Sequence, residues 1–252
     1  VADAEGISVV VPTRGRPAAL ARCLDALRCQ TVPVEVVVAE DDAGRGPAAA
    51  RNEGARRAGG SVVLFTDDDC VPAPDWAETL AAGCPEDGAA AGTTVAPDGA
   101  NAFVRASQLL TSELQRLSAL PDGSLWFAPT SNLAVSRALL DRVPFDESFP
   151  LAAGEDREWC ARARASGALL RHRPEALVRH DQSLGAAGLW RQQLNYGRGA
   201  ARHRAAGGDL AGAGVRRRLL GAAFRQGAGV GLLSVVAQLA VALGYLAGRA
   251  GR

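Results

Sequence analysis

Three short apolar runs, each followed by polar or acidic residues, constrain this chain more than any other feature. Ile7-Ser-Val-Val-Val-Pro12, Val34-Glu-Val-Val-Val-Ala39 and Ser61-Val-Val-Leu-Phe65 read as buried strands. Helix-length stretches separate them. Residues 17–29 put Leu20, Cys23, Leu24 and Leu27 at helical spacing behind a first-turn proline, and residues 47–58 are closed by Gly59-Gly60. Strand, helix, strand, helix, strand implies a parallel sheet with right-handed crossovers, and ligands bind beyond the carboxyl ends of such strands. Attention therefore falls on residues 12–16, 40–42 and 66–70.

The rest of the chain is less regular. The pattern predicts helices over 75–83, 101–120 and 154–166, and strands over 89–95, 132–136, 168–172 and 176–180. Two Arg-rich helices follow, over 189–204 and 215–225. A chain of 252 residues, 48% hydrophobic and 22% charged, is not wholly disordered and suits one domain with an appendage. Its five cysteines contain no C-x-x-C pair, which argues against structural zinc and a disulfide framework. The apolar run from Ile7 to Val11 is too short for a secretory leader.

The net charge of +1 conceals an asymmetry. Residues 1–190 hold 18 Arg against 26 acids, whereas residues 191–252 hold 10 Arg against Asp209 alone. Residues 226–248 carry no charge at all, long enough to cross a bilayer. Arg216-Arg217-Arg218 and Arg225 precede this run; Arg249 and Arg252 follow it. Gly227/Gly231 and Gly244/Gly248 both fit small-residue helix packing. The expected division is a catalytic domain over 1–200 and a basic helical tail over 201–252. Its apolar helix associates with a membrane, in preference to packing as a soluble core helix.

Thr66-Asp67-Asp68-Asp69-Cys70 carries the strongest chemical signal. Three carboxylates at a strand end repel one another, and a hard divalent cation such as Mg²⁺ or Mn²⁺ would neutralise them. Glu40-Asp41-Asp42 lies at the same edge and could accept hydrogen bonds from a base or a ribose.

Several blocks together resemble family 2 glycosyltransferases. These are Val9-Val-Val-Pro-Thr-Arg14, Glu35-Val-Val-Val-Ala-Glu-Asp-Asp42, Ala50-Arg-Asn-Glu-Gly54 and Phe65-Thr-Asp-Asp-Asp-Cys-Val-Pro-Ala-Pro-Asp-Trp76. Ser131-Asn-Leu-Ala-Val-Ser-Arg137, Phe145-Asp-Glu147, Gly154-Glu-Asp156 and Val178-Arg-His180 follow in the same order. The resemblance covers about residues 6–200 and implies an α/β GT-A fold: a Rossmann-like, mostly parallel sheet flanked by helices, here with a C-terminal helical appendage. It implies a nucleotide-diphosphate-sugar donor bound around Pro12, Thr13, Arg14, Glu40, Asp41, Arg51, Asp67 and Asp68. It implies a divalent metal, Mn²⁺ or Mg²⁺, on Asp67, Asp69 and His180. Asp156 is the implied general base, with Glu155 beside it.

The chain departs from the family pattern at Glu40, Asp42 and Cys70 and in its arginines Arg14 and Arg16, which could meet phosphate. The expected activity is inverting transfer of a sugar to a hydroxyl or to a lipid-linked or polyprenyl acceptor. The expected place is the cytoplasmic face of the plasma membrane, in cell-envelope glycan or glycolipid synthesis. Nucleic acid is not an expected partner. Two other readings remain: a degenerate nucleotide-sugar-binding or scaffold domain, and a sugar-1-phosphate nucleotidyltransferase. The second lacks its Gly-rich first loop and its lysine. Trp126-Phe127 reads as buried core, in preference to lining an acceptor pocket.

Overall fold

The β-branched run Ile7–Thr13 forms β1, buried along its whole length. It stands between β2 (Glu35–Glu40) and β3 (Val62–Phe65), parallel to both. α1 (Pro17–Arg28) and α2 (Pro47–Arg57) make the crossovers, each with proline in its first turn. A computed structural model gives this architecture and describes residues 6–208 and 212–250. Asp209 and Arg252 lie outside the described residues.

The strand period of two divides the core. Val9 and Val11 pack with Cys23, Leu27, Trp76 and Leu80 on one face of the sheet, while Val10 packs with Phe65, Phe145 and Trp159 on the other. α2 rests directly on the strands at Gly54, where a β-carbon would stand 2.4 Å from Val10 Cγ1.

Beyond β3 the sheet is mixed. β4 (Cys70–Pro72), β5 (Gly88–Val95), β6 (Leu133–Ser136) and β7 (Leu169–His180) complete the order β2-β1-β3-β6-β5-β7-β4. β6 runs antiparallel to β3 and β5, and β4 antiparallel to β7, while β5 and β7 are parallel. Parallel pairing therefore joins the first three strands and β5 with β7, and the remaining three strand pairs are antiparallel, so the sheet is mixed where a mostly parallel one was expected. The chain returns beside β3 after a long excursion through α3 (Trp76–Ala82), β5 and α4 (Ala102–Leu117), and enters from the opposite end. α5 (Arg137–Arg142) and α6 (Glu155–Ala165) follow.

The two short strands expected at 168–172 and 176–180 form one element with a break in its pairing. Ala91 faces His172 but Thr93 faces Leu177, so Pro174, which has no N–H, falls in the unpaired stretch. Gly92 makes room for this bulge: a β-carbon there would stand 2.1 Å from the Ala176 carbonyl oxygen. Asn132 Nδ2 closes it, donating to the carbonyls of Thr93 and Ala176, both at 3.0 Å.

α7 (Ala186–Ala205), α8 (Ala213–Arg225) and α9 (Ala228–Ala250) end the chain. α9 packs on α7, α8 and α4. A β-carbon on Gly244 would lie 2.0 Å from the Leu194 carbonyl oxygen, and one on Gly197 would lie 2.1 Å from that of Val241, so α7 and α9 touch backbone to backbone. Gly231 receives the Phe224 ring, and Gly248 lies against Arg198 and Ala201. Gly227 is not part of this packing; it turns the chain before α9, with φ +120°. The other face of α9 leaves Leu232, Val236, Leu239, Leu243 and Leu246 exposed. Among the described residues, α9 is the one helix long and apolar enough to cross a membrane.

Candidate active site

The acidic turn between β3 and β4 is pinned from three sides. Thr66 donates its N–H to the Val10 carbonyl at 3.3 Å and its hydroxyl to the Ser131 carbonyl at 3.0 Å. Asp181 donates its N–H to the Asp69 carbonyl at 2.7 Å, and Cys70 pairs with His180 across β4 and β7. This geometry separates the three carboxylates. Asp67 lines a cavity of about 500 Å³ together with Arg51, Glu155, Asp156 and His180. Asp68 turns back toward β1, fully buried, and accepts the Thr13 hydroxyl at 2.6 Å. Asp69 Oδ1 lies 3.2 Å from His180 Nε2.

Arg16 spans two of the acids. Its Nε donates to Asp68 Oδ2 at 3.2 Å, its Nη2 pairs with Asp68 Oδ1, and its Nη1 donates to Asp69 Oδ2 at 2.5 Å. Burial outweighs these partners at Asp68 and raises its pKa. At Asp69 burial also pushes upward, but the His180 hydrogen bond and charge, with Arg16, prevail and hold the carboxyl at about 2. His180 responds in kind. Burial opposes its charge, yet the hydrogen bond to Asp69 raises its pKa. The other ring nitrogen, Nδ1, is 3.1 Å from Gln108 Oε1 on α4.

The donor set fits a hard divalent cation. Ligand atoms of Asp69, Cys70 and His180 lie within 4.8 Å of one another. Burial and the charges of Asp67 and Asp69 keep Cys70 a protonated thiol, so the carboxylate and the imidazole are the donors able to serve.

Arg51 is a buried strut. Its Nη1 donates to Glu155 Oε1 at 2.9 Å and its Nη2 to Asp67 Oδ1 at 3.0 Å, tying α2 to the acidic turn and to the start of α6. The next residue, Asn52, clamps the backbone of Phe145, accepting its N–H at 2.9 Å and donating to its carbonyl at 2.8 Å. Phe145 stacks on Trp159 and meets Phe65 edge to face.

The two acids at the start of α6 are unequal. Glu155 is buried and held by Arg51; burial, then the Asp156 charge, push its pKa up to about 7. Asp156 is only half-buried, and its Oδ1 accepts the Arg157 N–H at 2.7 Å. Burial raises its pKa too, against the pull of Arg157. Tyr196 of α7 lines the same cavity, its phenol held protonated by burial and by the charges of Asp156 and Glu155.

The first and second strand ends supply the remaining candidates. Pro12 and Thr13 are buried at the end of β1, and Arg14 is exposed, leaning over Gly44. Glu40 is exposed at the end of β2. Both oxygens of Asp41 are engaged by the chain itself, accepting the N–H groups of Arg45 at 2.7 Å and Gly46 at 2.9 Å. Asp41 thus shapes the loop leading into α2. Sequence reasoning did not foresee Gln108, Arg157 or Arg216 at the cavity; Tyr196 lies in the segment Leu189–Gly199, which resembles a region after the catalytic core in some family members, but helix packing is what brings all four there. Phe127 is buried and also lines the cavity, so both readings of it hold, whereas Trp126 is not among the lining residues.

Residues 36–144 match the family model described as glycosyl transferase family 2. Over 204 residues the chain is 31% identical to the pre-mycofactocin glycosyltransferase of Mycobacterium tuberculosis, covering 69% of this chain and 42% of that protein. The chain therefore spans less than half the length of the curated relatives it matches. Among solved structures it is similar to a mannosyltransferase of Pyrobaculum calidifontis in complex with GDP-Man and Mn²⁺, with a TM-score of 0.58 at 19% identity, over 100% of this chain and 77% of that one. It is also similar to S. aureus TarS, with a TM-score of 0.53 at 17% identity, over 88% and 44% of the two chains. The chain belongs to glycosyltransferase family 2, and its fold is GT-A.

Proposed function

We propose that this chain is an inverting, divalent-metal-dependent glycosyltransferase. It moves a sugar from a nucleotide-diphosphate donor to the hydroxyl of a sugar or lipid-linked acceptor, in envelope glycan or glycolipid synthesis at the cytoplasmic face of the plasma membrane. The observation that carries this reading is the convergence of Asp67, His180, Glu155 and Asp156 on one cavity at the strand ends, with Asp69 hydrogen-bonded to His180. Nucleotides in similar solved structures support the donor class: the nucleotide sugar GDP-Man in the Pyrobaculum enzyme, and the nucleoside diphosphate UDP in a structure of GalNAc-T7 that shares the fold at a TM-score of 0.53.

Asp69 and His180, with Asp67, would hold Mn²⁺ or Mg²⁺. Such an ion, when bound, offsets the charge that gathers on a departing diphosphate. Asp156 accepts the proton of the acceptor hydroxyl at its carboxylate; its raised proton affinity and its exposure to the cavity suit it to this role. Glu155, locked to Arg51, positions the start of α6. With a single free carboxylate at the acceptor side, direct displacement and inversion follow. Pro12, Thr13, Arg14, Glu40 and Asp41 form the nucleotide wall, with Asp68 fixing Thr13 and Arg51 fixing Asp67. Residues 1–200 are the catalytic domain, and residues 201–252 the basic tail that rests on anionic lipid through the exposed leucines of α9 and its flanking arginines.

A thermal-shift panel of UDP, GDP, dTDP, CDP and ADP, with and without Mn²⁺, tests the reading. The expected result is metal-dependent stabilisation by one nucleotide, abolished in Asp69→Asn. A folded sample that answers to no nucleotide overturns it in favour of a degenerate domain.

A further inference from the structure

The cavity has lining residues that the transfer chemistry leaves unused. Part of its wall is apolar, built from Leu110 of α4, Leu219 of α8 and Val241 and Leu246 of α9. Two guanidinium groups reach into the same space: half-buried Arg157 on α6, lying 5.7 Å over the Phe127 ring, and Arg216 on α8. Among the described residues, neither side chain has a carboxylate within ion-pair distance. Burial and the nearby charge of Arg216 loosen the proton on Arg157, with Asp156 and Cys160 as the opposing influences. Half-buried Arg157 loses part of its hydration and exposed Arg216 adds a like charge beside it, a cost that an oxyanion between them would offset, and the guanidinium fork suits a phosphate or carboxylate. Leu246 belongs both to the cavity wall and to the exposed leucine stripe of α9, so the apolar wall continues out to the surface.

We propose that Arg157 and Arg216 form an anion site at the acceptor end of the cavity, and that the acceptor is an amphiphile whose anionic headgroup they hold while its apolar part lies along Leu110, Leu219, Val241 and Leu246. This rests on the transferase reading and adds the chemical class of its acceptor. The two charges select the headgroup; the wall selects a chain that enters past Leu246 from a lipid surface.

Calorimetric titration of the full chain with submicellar decyl phosphate tests it, with decyl glucoside and inorganic phosphate as comparators. Decyl phosphate binds, and both comparators bind at least tenfold more weakly. Arg216→Gln weakens decyl phosphate at least tenfold, and Arg157→Gln does the same. Arg216 is exposed on α8, so its variant carries the test if loss of the Phe127 contact unfolds the other. Equal binding of decyl phosphate by Arg216→Gln and wild type overturns the anion site. Equal binding of decyl glucoside leaves only an apolar groove, and equal binding of inorganic phosphate leaves only a free-anion site; either result overturns the amphiphile. Metal-dependent nucleotide stabilisation is recorded on the same samples. Its presence keeps the transferase reading standing when the anion site fails, and its absence in wild type identifies failure of that reading instead.

Discussion

Replacing Arg51 by methionine keeps most of the buried volume and removes one charge. The side chain is 3% exposed and hydrogen-bonds Glu155, itself 5% exposed, at 2.9 Å and Asp67 at 3.0 Å. Its loss leaves a buried Glu155 beside Asp156 with no counter-charge. Below pH 6 Glu155 is protonated in both proteins, and the substitution costs only the unmade hydrogen bonds, about 1–3 kcal/mol. In wild type Glu155 titrates at about 7, so above that pH its ionised form enjoys the Arg51 pair; in the variant its pKa rises further and the proton is retained. The penalty then grows by about 1.4 kcal/mol for each pH unit above 7. By pH 9 it reaches about 4–6 kcal/mol, at the upper end of the cost of breaking a buried ion pair from one side. The sign has a companion in wild type. A carboxyl raised above its unfolded value contributes stability that is complete below the unfolded pKa and is lost as pH rises through the folded one, so this contribution fades toward pH 7. Urea unfolding at pH 5.5, 7, 8 and 9 at constant ionic strength measures both trends. A penalty that is flat with pH, or below about 1 kcal/mol at pH 9, refutes the strut.

Arg16→Gln frees Asp69, and Mn²⁺ titrated without nucleotide binds about two- to fivefold more tightly, a small factor because Arg16 is half exposed; unchanged or weaker affinity means the arginine does not compete for that carboxylate. Asp156→Asn lowers kcat by about 10²–10⁴ while metal-dependent nucleotide binding persists, and wild-type turnover in that variant places the base elsewhere. Leu239→Asp with Leu243→Asp, on the outward face of α9, preserves the circular-dichroism spectrum and releases the protein from anionic vesicles; full retention on those vesicles removes α9 as the lipid-facing element.

How much of this was legible beforehand varies with how local the signal is. β1, β2 and β3 are runs of β-branched residues between proline- and glycine-bounded helices, so their order and parallel pairing follow from the chain itself. β4 escaped notice: three residues ending in Pro72 carry no alternation, and only the Cys70–His180 register makes them a strand. α5 was missed too, although Ser136 caps it by accepting the Leu139 N–H. β7 was seen as two pieces because Pro174 interrupts it, and its continuity depends on Gly92 and Asn132 in other elements. The acidic candidates were found because they cluster in sequence. Gln108, Tyr196, Arg157 and Arg216 belong to four helices whose packing alone brings them to the cavity.

The acidic turn shows why clustering alone does not identify a metal site. Three adjacent carboxylates suggested a cation, and the chain supplies two of its own. Arg51 takes Asp67, and Arg16 takes Asp68 and shares Asp69 with His180. An acidic turn so neutralised is stable without any ion. The argument for a metal therefore rests on differences among the three acids. Asp68 is fully buried and held by Thr13 as well as Arg16, so it has no freedom to turn outward. Asp67 keeps 27% of its side chain exposed, at the cavity. Asp69 is held by a half-exposed arginine that can swing into solvent and by an imidazole that is itself a metal ligand by chemistry. On the proposed metal reading, Asp69 would exchange Arg16 for a cation, Asp67 would keep Arg51 on Oδ1 and offer its other oxygen, and Asp68 would stay fixed. The proposed metal reading would account for this spacing, with two cavity-side carboxylates flanking a fixed one and a histidine delivered by β7, whereas surface acidity alone would not.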